Sequence, residues 1–167
     1  MYPILLATHS LVRWMVLIVL FTSIFNAYSG LLTQRKFLKF DNVVRLSTIT
    51  IANLQLVLGA CLYTISPFSN YFLHNFPETI HQREFRFFGM EHSLMMLISV
   101  ILVTVGSVKA KRKEADCKKF KTIAVWHTIG LLIILLSIPW SFSPFTSRPS
   151  IRPFFKRTAN CTFFVPL

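Results

Sequence analysis

The chain has 167 residues, of which 53% are apolar and only 14% charged, with 17 phenylalanines among them. That balance excludes a soluble domain, because the apolar residues gather into long runs that would aggregate in water. The net charge of +12 sits in the connections and the tail rather than in a folded basic module, so it argues against nucleic acid and for anionic lipid headgroups.

In chain order, the first apolar segment opens near Pro3, suited to a first helical turn, and is free of charge from Trp14 to Gln34. A helix over about 3–32 is expected. The second spans about 43–67, with Arg45 at its entrance, Asn53 and Gln55 near its middle and Pro67 as its stop. The third, about 87–108, carries Glu91 and His92 in its first two turns; the fourth, about 122–140, carries His127, with Trp126 and Trp140 near its ends as interfacial anchors. The fold class is therefore all-α, an integral membrane four-helix bundle over residues 1–140. Residues 141–167 form a basic tail rich in Phe and Pro, expected to lie on the membrane surface or to be disordered.

Basic connections stay in the cytoplasm. The first holds Arg35, Lys36, Lys39 and Arg45, and the third runs KAKRKEADCKKFK from Lys109 to Lys121. Both are placed inside, which puts the N-terminus, the connection 68–86 and the C-terminus on the outer side of a bacterial inner membrane. The tail's Arg148, Arg152, Lys156 and Arg157 run against that rule. Cys61, Cys117 and Cys161 have no metal-ligand spacing and are read as unpaired.

An ionisable group inside a span costs about 2.5–3.5 kcal/mol at the bilayer centre unless it is paired or faces a cavity, so such groups are the informative ones. His9 and Arg13 share a helix face at i, i+4, and Glu91 and His92 open a parallel helix. All four fall near the outer side at similar depth. On one reading, His9 and His92 ligate the iron of a b-type haem, Arg13 pairs with a propionate or with Glu91, and Met95 or Met96 offers an alternative ligand. No C-x-x-C-H motif is present for covalent attachment. On the other reading, His9 makes interfacial hydrogen bonds and Arg13 and Glu91 form an interhelical ion pair that fixes packing. His127 lies roughly 10–15 Å from this cluster by helical rise and is assigned a hydrogen bond rather than a metal. Asn53 and Gln55 are read as interhelical glue, with a quinone contact as the other use, and His74 and His81 as solvated.

Several stretches resemble a known family: MYPILLATHSLVRW, IANLQLVLGACLYTISP, RFFGMEHSLMMLISVILVTVGSVKAKRK and KTIAVWHTIGLLIILLSIPW. Together, with H-S-x-x-R-W and E-H-x-x-M-M as the most specific motifs, they are similar to small bacterial four-helix membrane proteins of the cytochrome b type. The resemblance covers about residues 1–140 and implies electron transfer, with His9 and His92 as matching ligands. A histidine often stands in that family where this chain has Asn53, and the tail beyond about Arg152 is unlike it. The expected function is thus a one-haem electron carrier working between a quinol pool or other membrane donor and a partner protein. The alternative is a haem-free structural or accessory subunit of a larger membrane complex. No nucleophile with an adjacent base, phosphate loop or nucleotide fingerprint suggests an independent enzyme. One Arg and one Glu near one face do not make the polar path of a transporter.

Overall fold

The computed structural model describes residues 2–140, so the tail 141–167, with the expectation of a surface-lying or disordered end, lies outside the described residues. Its helices are α1 (Tyr2–Leu32), α2 (Lys39–Ile65), the short α3 (Pro67–His74), α4 (Phe76–Thr79) and α5 (Arg83–Arg86), then α6 (His92–Lys111) and α7 (Asp116–Ser137). A π-helical turn, Phe87–Glu91, joins α5 to α6, so that Arg83–Lys111 runs as one rod. Four helices, α1, α2, the α5–α6 rod and α7, are long and apolar enough to cross a bilayer. The chain is a multi-pass membrane protein built as an up-and-down bundle. Principal contacts run α1 to α2, α2 to α6, α6 to α7 and α7 back to α1, which sets α1 diagonally across from α6.

Two helices begin earlier than hydropathy suggests. Helix α2 starts at Lys39 rather than 43 because Asp41 accepts a hydrogen bond from the Leu38 backbone N–H at 2.7 Å, satisfying a donor that the first turn leaves open. Helix α7 starts at Asp116 rather than 122, where Asp116 pairs with Lys119 at 3.0 Å; Cys117 therefore lies in its first turn, not in the connection. At the other end α7 stops at Ser137, two residues before Pro139. Pro67, expected to stop the second helix, also opens α3, with Ser66 as its N-cap.

Lipid tails are as apolar as leucine, so side-chain hydrophobicity does not hold these helices to one another; close packing and hydrogen bonds do. Gly106 lies directly under Trp126, Gly130 against Val103, and Gly30 against the Phe120 ring, and a Cβ at any of the three would overlap its neighbour. Ser99 donates to the Gly130 carbonyl at 2.8 Å across the α6–α7 contact.

Polar ties complete the frame. His127, fully buried, sits between Ser23 of α1 and Ser107 of α6, with each hydroxyl 2.9 Å from one ring nitrogen. The role expected from the sequence, a hydrogen-bonded histidine, is what its surroundings provide. Asn53 donates to Thr104 at 3.2 Å, linking α2 to α6 as glue. At the end that holds the first and third connections, the Asp41 carboxylate accepts both terminal nitrogens of Arg35, at 2.6 and 2.7 Å, and the Asn26 amide at 2.6 Å. Its hydrogen bond and charge hold the Arg35 guanidinium above its ordinary pKa. Arg35 also stacks over Phe120, 4.8 Å from the ring centroid, and Phe37 packs on the same ring at 5.1 Å, so the first connection rests on the start of α7.

Two outcomes follow for stability in detergent. Asp41→Ala strands the Arg35 charge and the Leu38 N–H and should lower stability by on the order of 3 kcal/mol, read as a fall in melting temperature; Asp116→Ala, which breaks a half-buried i, i+3 pair, should cost clearly less. His127→Leu removes the partner of two buried hydroxyls and should cost about 1–2 kcal/mol, whereas His74→Leu, at an exposed site, should cost nothing measurable.

Candidate functional site

At the end opposite those connections the helices surround a cavity of about 880 Å³, bounded by α1, α2, the first turn of α3, the π turn, α6 and the end of α7. Its wall is mostly aliphatic and aromatic, with a few converging polar groups, and its volume lies within the range of cofactor sites. His9, Arg13, Gln55, His92 and Met96 all contribute to the lining. Diagonal helices α1 and α6 thus present one histidine each to a shared space, as the matching of depth predicts.

His92 is held by two breaks in regular helix. Because α7 ends before Pro139, the Ser137 carbonyl lacks an intrahelical partner, and His92 donates its Nδ1–H to it at 2.8 Å. That bond fixes the tautomer and leaves the Nε2 lone pair available; Nε2 has no hydrogen-bond partner among the described residues. The π turn directly before His92 is the second break, a deviation that recurs at functional sites. Tyr63 of α2 donates to the Gly89 carbonyl in that turn at 2.7 Å, and Gly89 packs so tightly on Phe72 that no side chain fits there. Phe87 and Phe88 flank the imidazole at 5.7 and 6.4 Å between ring centroids.

His9 is placed differently. Gln55 donates to the His9 carbonyl at 2.9 Å, and its amide nitrogen stands 3.2 Å from the ring Nε2. Across from the ring is Gly59, where a Cβ would lie 3.4 Å from Cε1. The His9 Nδ1 and the Gln55 Oε1 are both buried without a hydrogen-bond partner among the described residues. Orphaned polar atoms of this kind carry a desolvation cost unless something completes them. Both stand on groups that line the cavity.

Arg13 lines the cavity one turn from His9, its guanidinium carbon 5.6 Å from the Trp14 ring. Glu91 does not join it. Its carboxylate pairs with Arg86 at 2.7 Å across the π turn, the two side chains 37% and 42% exposed, and it is not part of the cavity wall. Among the described residues, Glu91 therefore pairs with Arg86 rather than with Arg13, and it is not part of the cavity wall. Met96 reaches the wall while Met95 does not. Asn53 is engaged with Thr104 and the Ile49 carbonyl rather than with the cavity. The sequence reading missed Tyr63, Gly59 and the Ser137 carbonyl, none of which carries a signal apart from its place in the fold.

Chemically, the site offers a histidine lone pair, a second imidazole with an uncompleted nitrogen, a cation and an apolar enclosure. No group of three or more His, Cys, Asp or Glu side chains that could hold a bare metal ion is found among the described residues. A metal that brings its own equatorial ligands needs only one or two. Comparison of the chain with protein-family models, curated proteins and solved structures returns no match.

Proposed function

We propose that the protein is a cytochrome b-like electron-transfer subunit that holds one b-type haem between α1 and α6, with His9 and His92 as the candidate iron ligands. One observation carries this reading: two histidines from diagonal helices line the same apolar cavity, and His92 has its Nδ1 committed to a carbonyl with its Nε2 lone pair free. A carbonyl bond on the distal nitrogen is the usual support of a metal-ligating histidine, since it orients the ring and raises its basicity. Haem would supply one-electron redox chemistry. The chain's own residues enclose it, keep water out and, through Arg13, offer a cation to a propionate at the cavity edge. The resemblance of H-S-x-x-R-W and E-H-x-x-M-M to cytochrome b-type proteins supports the same assignment. The excess of Lys and Arg in the connections around 33–38 and 112–115 supports a cytoplasmic position for that end, with the haem near the outer face of a bacterial inner membrane and with access to a quinol or another membrane donor.

A haem-free accessory subunit of a larger membrane complex is the second reading. It is favoured by Gln55, which already ties the His9 ring and carbonyl to α2 as an interhelical brace.

The two separate in a reduced-minus-oxidised absorption spectrum of protein expressed with ample haem supply. A b-type spectrum is expected, lost in His9→Ala and in His92→Ala, weakened in Arg13→Ala and unchanged in Glu91→Gln and His127→Gln. A colourless protein that folds, or a spectrum that survives both histidine changes, rejects the haem reading.

A further inference from the structure

The cavity is not equally closed on every side. The residues that α1 and α7 contribute to its wall are all buried or half-buried. The exposed lining residues are Val57, Ala60 and Thr64 of α2, together with Met90 of the π turn and Leu94 and Leu97 of α6. Spacings of three and four place each set on one face of its helix. Both rows therefore reach the cavity on their inner side and the outside of the bundle on the other.

The two rows flank one seam. Asn53 stands one turn before Val57 on the α2 row, and Thr104 stands two turns after Leu97 on the α6 row; these two are hydrogen-bonded at 3.2 Å. At the outer end Tyr63 donates to the Gly89 carbonyl at 2.7 Å. Between the two ties, over about 15 Å of α2, no hydrogen bond joins α2 to the rod among the described residues. Close backbone packing does not shut the seam either. Gly30, Gly89, Gly106 and Gly130 are each pressed against a neighbour, whereas a Cβ on Gly59 would meet only His9, at 3.4 Å, and nothing of α6.

The depth of this slot decides what fills it. Leu97 is the middle residue of the Arg83–Lys111 rod, and Val57 and Ala60 lie about 8 and 12 Å along α2 from its middle residue, Ala52. Both distances fall within the half-thickness of the hydrocarbon, about 15 Å. The slot therefore faces acyl chains rather than water. Leu56 and Met96, half-buried on the cavity wall, continue the apolar surface inward, and leaving such a surface bare would forfeit its dispersion contacts.

We propose that the cavity is open to the bilayer between α2 and α6, and that this slot holds an acyl chain of a phospholipid whose end enters the cavity beside Leu56 and Met96. A guest dissolved in the membrane reaches His9 and His92 from the side, by displacing that chain, without passing the layer of α3, α4 and α5. The proposal concerns the side from which the cavity is filled and does not rest on haem being the guest.

The test uses the full chain as purified, reconstituted in phosphatidylcholine vesicles that carry a small share of phosphatidylcholine with a diazirine on its acyl chain. After illumination, labelled residues are read by peptide mass spectrometry. Leu54, exposed on α2 and outside the cavity wall, should be labelled, and so should Leu56 and Met96. Ala60→Trp, at an exposed position, sets an indole across the slot and should abolish labelling of Leu56 and Met96 while leaving that of Leu54 unchanged; Val57→Trp should do the same if Ala60→Trp fails to fold. Labelling confined to Leu54, labelling of Leu56 and Met96 that persists in both tryptophan variants, or equal labelling of them by a water-soluble diazirine overturns the proposal. A haem spectrum recorded on the same sample keeps the two readings apart, since a colourless protein labelled through the slot rejects haem alone.

Discussion

Inside a bilayer every buried polar group must find its partner within the protein, and the arrangement of these helices follows from that requirement. The chain of contacts through His127 shows it most directly. Ser23 of α1 and Ser107 of α6 hold the two nitrogens of a histidine on α7, and the Ser107 carbonyl receives Arg45 of α2, so one hydrogen-bonded string touches all four long helices. A histidine with both nitrogens engaged at 2.9 Å cannot rotate or slide without breaking a bond. It therefore fixes the rotation of α7 against its two neighbours, which apolar packing against lipid-like side chains would define only loosely.

The two ends of the bundle use their polar residues in opposite ways. At the connection end the helices close tightly: Gly30, Ala27, Ala110 and Ala124 let Phe120 fill the centre, and the Asp41 carboxylate gathers Arg35, Asn26 and the Leu38 backbone into a satisfied cluster. At the other end the centre is open, and two of the residues that line it, Gln55 and His9, each keep one buried polar atom without a partner among the described residues. Packing is thus tight at the end with the first and third connections, and the unsatisfied polar atoms lie on residues of the cavity wall at the other. An end built only for stability would be filled as Phe120 fills the first.

Much of this was legible in the sequence, for a physical reason. A span must be apolar for about 20 residues whatever its partners are, so four spans and their up-and-down order could be read from hydropathy. The common depth of His9 and His92 follows from helical rise alone. What could not be read depends on contacts between distant positions. Asp41 looks like one more charge in a basic connection until Asn26 and Arg35 fold around it, and only then does α2 begin at Lys39. Glu91 sits beside His92 in sequence, and an α-helix would keep Arg86 off its face. The π turn inserts the extra residue that brings Arg86 and Glu91 together, five positions apart, and so turns Glu91 away from Arg13. Nothing in FFGME announces that turn.

The position of His92 depends on two local failures of helical hydrogen bonding. Pro139 ends α7 and exposes the Ser137 carbonyl; the π turn shifts the register of the rod leading into α6, and Tyr63 takes up its Gly89 carbonyl. Each break frees a backbone carbonyl from the helical ladder, and a side chain takes it up. One of the resulting groups holds the ring of His92, and the other is secured by a residue of the cavity wall. Regular helices on both sides would be more stable, but they would leave His92 without the carbonyl that fixes its tautomer and with a different rotation about α6. The irregularities lie at the end of the bundle that contains the cavity, where they set the direction of the His92 imidazole and leave its Nε2 open.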